Sequence, residues 1–288
     1  MQAYLNQIND AAEFVRRRIV EGGLGDQFEP SIGCILGSGL GELGNQVERA
    51  VHIDFESIPH FPRSTVEGHQ GRLVVGELEG QRVIIMQGRI HYYEGYTMKQ
   101  VVFPIYVMKK LGITSLLVTN AAGGMNRGFA AGNLMLIRDH INMTGNNPLI
   151  GPNFSELGVR FPDMSAIYDL EYREFIHKLA RQPEFADVVQ LQEGVYCGIS
   201  GPAYMTPGEL NMLAMVGGDA IGMSTVPEAI AARHAGLRVL GISCITDMAI
   251  GDELEPLTHE QVMSVAERTK PGFIALVRAF LRQMPVTL

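Results

Sequence analysis

The sequence is poor in cysteine, in clustered positive charge and in long apolar runs, and each shortage removes a class of protein. Only three cysteines occur in 288 residues: Cys34, Cys197 and Cys244. Each sits inside an apolar, strand-like run (SIGCIL, GVYCGI, GISCIT), and no two form a C-x-x-C pair. An odd count at such spacing supports neither a disulfide framework nor a thiolate metal site. The three read as buried small hydrophobes in a reducing cytoplasm. Basic residues cluster no further than Arg16-Arg17-Arg18, and 23 basic against 31 acidic residues leave a net charge of −8. That excludes the electrostatic footprint of a nucleic-acid binder, and any anion site must be built locally. No stretch approaches the ~20 apolar residues of a membrane span. Residues 1–20 lack the apolar segment of a signal peptide. The expectation is a soluble, cytoplasmic protein.

What is present is an ordinary globular mixture, 46% hydrophobic and 19% charged, long enough to bury a real core. After a helical pattern at about 4–21 the chain alternates short apolar strands with helices. Strands are expected at 31–36, 71–78, 82–88, 114–120, 133–139, 194–200, 217–223 and 237–246. Helices are expected at 98–112, 170–182, 206–216, 226–236 and 258–283. Several strands are near-continuous Val/Ile/Leu runs, the pattern of strands covered on both faces. Thr206 with Glu209, Thr225 with Glu228, and Thr258 with Gln261 form capping boxes at three helix starts. There are no repeats, low-complexity tracts or linkers. The longest irregular region, 143–169, is rich in Gly, Pro and Asn and reads as a lid or a subunit contact. One α/β domain over residues 1–288 with a mixed central sheet is the reading.

GCILGSGLGELG (33–44) fails as a dinucleotide fingerprint because Glu42 stands where the third glycine is needed, and no G-K-[ST] follows for a phosphate loop. What remains is a strand entering a Gly-Ser-Gly turn and then a helix. It is either an anion cradle of backbone N–H groups and the Ser38 hydroxyl, or a plain tight turn. GRIHYYEG (88–95) sends Arg89, His91 and Tyr93 to one face if strand 82–88 continues. The arginine fork suits phosphate and histidine can donate or accept near neutral pH, the alternative being a solvated strand end. His69, between glycines in STVEGHQGR, would let a ligand approach the backbone closely. VTNAAGGM (118–125) ends a strand in small residues, suited to a flat ligand or an anion against the backbone at Ala121. GMSTVPEA ends another strand at Met223-Ser224, and CITDMAIGDE places Asp247 at the C-terminal edge of a third, where open α/β sheets put ligand groups. His259 falls in the first turn of the last helix. Tyr204-Met205, just ahead of the Thr206 cap, is either a hydrophobic staple or a pocket wall.

Together these motifs resemble the trimeric purine nucleoside phosphorylase family, which shares its fold with methylthioadenosine phosphorylases. The resemblance runs through ILGSGLG, EGHQG, QGRIHYYEGY, TNAAGG, DHIN, GGDAIGMSTVPE and THEQV, in order and over nearly the whole chain. It implies a phosphorylase/hydrolase-like fold, with a mixed, distorted barrel-like sheet surrounded by helices, and a homotrimer. The implied reaction converts a purine nucleoside and phosphate into free purine and ribose 1-phosphate. Phosphate is then a co-substrate, and neither cofactor nor metal is required. By the same resemblance Ser38, His69, Arg89, His91, the Ala121 backbone and Ser224 belong to the phosphate site. Tyr93, the Met223 backbone and His259 belong to the ribose site. Tyr204, Met205, Ile221 and Asp247 line the purine pocket, and His91 and Asp247 are singled out as catalytic.

Three positions depart from the family pattern. Members that cleave inosine and guanosine carry glutamate after the pocket aromatic and asparagine in an I-T-N pattern; here these are Met205 and Asp247. A carboxylate would repel the N1 lone pair of adenine, and Met205 removes it. Asp247, protonated through burial, could donate to N7 while accepting from a 6-amino group. Both changes point to 6-aminopurines, that is adenosine, with 6-oxopurine cleavage as the alternative. His259 suits a 5′-hydroxyl better than the thioether of methylthioadenosine. A phosphate-independent hydrolase would act with water alone, and a binding module would release no ribose 1-phosphate. The third departure is Leu157, where the family usually offers an aromatic across the subunit interface; Phe154 could substitute.

Overall fold

Strands that are apolar at every position need cover on both faces, and the fold supplies it. The computed structural model describes residues 2–37, 40–66, 70–256 and 258–284, with His259 described by its backbone alone. Helix α1 (Gln2–Glu21) leads into β1 (Ile32–Leu36), buried at all five positions. Ile32, Cys34 and Leu36 pack into one hydrophobic cluster and Ile35 into the other, on the opposite face. Then come β2 (Glu48–Asp54), β3 (Arg72–Leu78), β4 (Gln81–Gln87), α2 (Met98–Val101), α3 (Phe103–Lys110), β5 (Ser115–Gly124) and β6 (Leu134–Met143). The remainder is α4 (Leu170–Ala180), α5 (Pro183–Ala186), β7 (Leu191–Ile199), α6 (Pro207–Met215), β8 (Ala220–Gly222), α7 (Val226–His234), β9 (Arg238–Met248) and α8 (His259–Gln283).

Among the described residues nine strands run in the order β2-β3-β4-β1-β5-β8-β7-β6-β9, and β9 also pairs with β5. That last pairing closes β5, β8, β7, β6 and β9 into a ring, a barrel with a four-strand extension. The sheet is mixed: β5 is parallel to β1 and β9 but antiparallel to β8. Helices α1, α3 and α7 cover one face, and α4 and α8 the other. A third, small cluster around Cys197, Ile199, Leu213 and Ile221 fills the space under the ends of β7 and β8.

Most expected elements are present within a few residues, and the exceptions have physical causes. Strand β2 is not anticipated because its burial alternates only at Val51 and Ile53 amid exposed charged residues, as befits an edge. The helix expected after the glycine-rich turn is a six-residue 3-10 segment, Gly41–Gln46. The helix expected over 98–112 is two, with Pro104 at the start of the second. Residues 144–169 hold no helix or strand. All three cysteines are free and buried, and burial pushes the Cys34 thiol up to about 12. No described helix is long and apolar enough to cross a membrane.

Candidate active site

The C-terminal ends of β4, β5, β7, β8 and β9 surround a cavity of about 620 Å³. One end is polar. Arg89, two residues beyond β4, is only 2% exposed, so its charge has to be satisfied inside the protein. Its Nη1 donates to the Thr119 carbonyl at 2.8 Å and to Ser224 Oγ at 3.0 Å, and its Nε faces Glu228 Oε1 at 3.2 Å. Strand β4 does not continue through 89–93 as expected; it stops at Gln87, and Tyr92–Glu94 form a 3-10 turn. That turn still brings Arg89, His91 and Tyr93 to the cavity, with the His91 and Tyr93 rings stacked at 4.7 Å.

Glu94 holds His91 in place. Its carboxylate accepts the His91 backbone N–H at 2.6 Å and meets Nδ1 at 3.2 Å, while Thr65 donates from both N and Oγ1. Burial alone would raise the Glu94 carboxyl, but these donors hold it down to about 2. The contact between Nδ1 and a carboxylate fixes the orientation of the ring at the cavity. Burial, reinforced by Glu94, pushes the Tyr93 phenol up to about 12, so it stays a donor at neutral pH.

The other end is mostly apolar. Met205 and Met223 pack on the cluster containing Ile221, and Tyr204, 56% exposed, stands at the rim. Asp247 brings a carboxyl group to the cavity. A β-bulge brings it there: Ala122 pairs with Ile245 but Gly123 pairs with Asp247, leaving Thr246 as an extra residue in β9. Thr246 and Asp247, neighbours that would face opposite sides of a regular strand, therefore both line the cavity. Burial pushes the Asp247 carboxyl above its ordinary value, partly opposed by the Thr246 hydroxyl that donates to Oδ1 at 2.8 Å.

Of the residues named from sequence, Arg89, His91, Tyr93, Ala121, Tyr204, Met205, Ile221, Met223, Ser224 and Asp247 all line this one cavity. Ser38, His69 and the His259 side chain lie outside the described residues; Gln261, Val262 and Val265 bring α8 to the cavity wall. Leu157 is buried in this chain's own core, with Phe154 partly buried against it. Glu228 and Asn120 received no site role from sequence. Glu228 was visible only as the acid of a capping box, and Asn120 only as part of TNAAGG. The Thr206 and Thr258 boxes form as expected, and at Thr225 the N–H goes to Glu228 while the hydroxyl accepts from Asn120.

The model of the phosphorylase superfamily matches residues 31–282. Purine nucleoside phosphorylase 1 of Bacillus subtilis is 52% identical over 278 residues, 96% of this chain and 98% of that protein. Two solved structures of purine nucleoside phosphorylase from Schistosoma mansoni superpose closely. One, in complex with adenosine, has a TM-score of 0.87 and 38% identity, covering 96% of this chain and 98% of that one. The other, in complex with inosine, has a TM-score of 0.90 and 36% identity, covering 98% of each. The chain belongs to the purine nucleoside phosphorylases of the phosphorylase superfamily.

Proposed function

We propose that the enzyme cleaves purine nucleosides with phosphate and prefers 6-aminopurines, adenosine above all. Cleavage of the glycosidic bond builds positive charge on the sugar and negative charge on the purine. Phosphate held under the sugar stabilises the first and then captures it, so positioning in a dry site is the main catalytic contribution. Arg89, His91, Ser224 and Ala121 line the polar end and are assigned this task, and the family resemblance assigns Ser38 and His69 to it as well. Tyr93, the Met223 backbone and His259 hold the ribose.

Neutralising the leaving purine requires a donor at N7, and the Asp247 carboxyl carries the reading. With Oδ1 occupied by Thr246, Oδ2 is the atom to hold the proton given to N7, while the group accepts from the 6-amino hydrogens. Such a contact is worth roughly 10²–10⁴-fold. Met205 offers no carboxylate to the N1–H of a 6-oxopurine, nor any repulsion to the lone pair of adenine. Phosphorolysis of adenosine, inosine and guanosine, with and without phosphate, tests this. Adenosine should be cleaved fastest and only with phosphate, and a tenfold advantage for inosine would overturn the preference. We also propose a homotrimer, supported by the exposed Ile150, Val159 and Phe161 of the irregular 144–169 region. Light scattering after gel filtration measures it directly.

A further inference from the structure

We propose that Glu228 is a positioning residue for phosphate: its two carboxylate oxygens clasp the two walls of the anion subsite and hold them at a fixed separation. The inference rests on the reading of Arg89 and Ser224 as phosphate ligands. One wall is Arg89, beyond β4; the other is the Ser224-Thr225 turn ahead of α7, more than a hundred residues later in the chain. Oε1 faces Arg89 Nε at 3.2 Å, and Oε2 accepts the Thr225 N–H at 2.8 Å. Glu228 is 4% exposed and stands behind the cavity wall, so it acts on phosphate through these two groups.

The turn needs holding. Thr225 is fully buried with φ of +68°, a positive value that a β-branched residue adopts only under constraint. Three constraints converge on it. Glu228 takes its N–H, Asn120 Nδ2 donates to its hydroxyl at 2.8 Å, and Tyr196 accepts the neighbouring Ser224 N–H at 3.4 Å. Held this way, Ser224 Oγ reaches Arg89 Nη1 at 3.0 Å. An ordinary N-terminal cap would use one oxygen of Glu228 and leave the other in solvent. Here the second oxygen is spent on a buried guanidinium, which ties the helix start to the far side of the site.

Glutamine at 228 offers one acceptor oxygen and cannot serve both walls. Glu228→Gln and Glu228→Asp are compared with the native enzyme by calorimetric titration of inorganic phosphate and by steady-state kinetics in both substrates. Glu228→Gln should weaken phosphate binding and raise the phosphate KM by about tenfold or more, as expected for loss of a charged hydrogen bond. The nucleoside KM should stay within about twofold, since uniform damage to the fold would move both constants. Glu228→Asp retains the charge but shortens the reach, and a loss of a few-fold is expected. If Glu228→Gln does not fold, the aspartate variant decides. Unchanged phosphate affinity, or phosphate and nucleoside KM rising in step, overturns the proposal. Failure of the native enzyme to bind phosphate would instead overturn the phosphorolytic reading beneath it.

Discussion

Thr246 Oγ1 donates to Asp247 Oδ1 at 2.8 Å inside the bulge where β9 carries one residue more than β5. The bulge turns two consecutive side chains into one cavity, and the hydroxyl leaves the second carboxyl oxygen as the one available to a ligand. Burial raises this carboxyl and its neighbour aims it, which is the basis for proposing it as the proton donor to the purine.

Replacing that donor should change the base preference. Asp247→Asn is expected to shift the inosine-to-adenosine ratio of kcat/KM towards inosine by about tenfold or more. The native enzyme should lose adenosine activity as pH rises through the raised Asp247 value, because ionisation removes the proton for N7. The variant, with nothing to ionise at 247, should lack that alkaline limb. An unaltered substrate ranking would show that Asp247 does not read the base.

Met205 is open to the reciprocal experiment. Met205→Glu introduces an acceptor for N1–H at the apolar end and should raise guanosine and inosine cleavage relative to adenosine. Combined with Asp247→Asn the two changes should reverse the preference, by about 10² or more in the ratio. Competition assays on mixed nucleosides give that ratio in one measurement.

Gly123 lines the cavity beside its strand partner Asp247. A Cβ there would lie 2.9 Å from Ala249 Cβ and 3.1 Å from Asp247 Oδ2. Gly123→Ala should therefore raise the nucleoside KM several-fold and leave phosphate binding, measured by calorimetry, as in the native enzyme.

Glu94→Gln should cut kcat/KM by about ten- to a hundredfold, the worth of a charged hydrogen bond to His91. Glu94 itself stays ionised through ordinary assay conditions. Its folded value of about 2 lies below the ordinary 4.5, so its stabilisation is complete above pH 4.5 and is lost as pH falls towards 2. Urea midpoints of the two proteins should converge over that interval.

A second acid effect is expected away from the site. Burial lowers His140 from 6.5 to about 4, with Nδ1 against the Tyr168 hydroxyl at 3.0 Å. The unfolded chain binds a proton below pH 6.5 that the folded chain refuses until about 4, so stability falls across that window. His140→Gln should narrow the difference in urea midpoint between pH 7 and pH 5.

Much of the fold was legible because its strands are apolar on both faces and its helices begin at capping boxes. Strand β2 was not, since an edge among exposed charges carries too little alternation to stand out. The cluster Arg89, His91, Tyr93 was legible as a density of polar side chains that no core accepts, although the route to one face is a 3-10 turn and not a continued strand. The bulge at Thr246 leaves no mark in composition; it exists only in the pairing of β9 with β5. Glu228 was readable as a cap and unreadable as Arg89's partner, because nothing local encodes a contact between residues so far apart in sequence.

Strand β5 is paired with β9 over its length, while on its other edge β1 pairs with Ser115–Val118 and β8 with Gly123 and Gly124. On the proposed assignment the Ala121 backbone meets the phosphate, and Gly123, paired with Asp247, lies two residues on, about 6.6 Å at the usual rise of an extended chain. An extended backbone held along one edge by β9 and anchored on the other by β1 before it and β8 after it cannot lengthen or shorten, so that distance is set before any ligand arrives. The strand is a gauge. On that assignment, exchanging side chains such as Met205 and Asp247 should admit a different purine while the interval between the sugar's attacker and its leaving group stays constant.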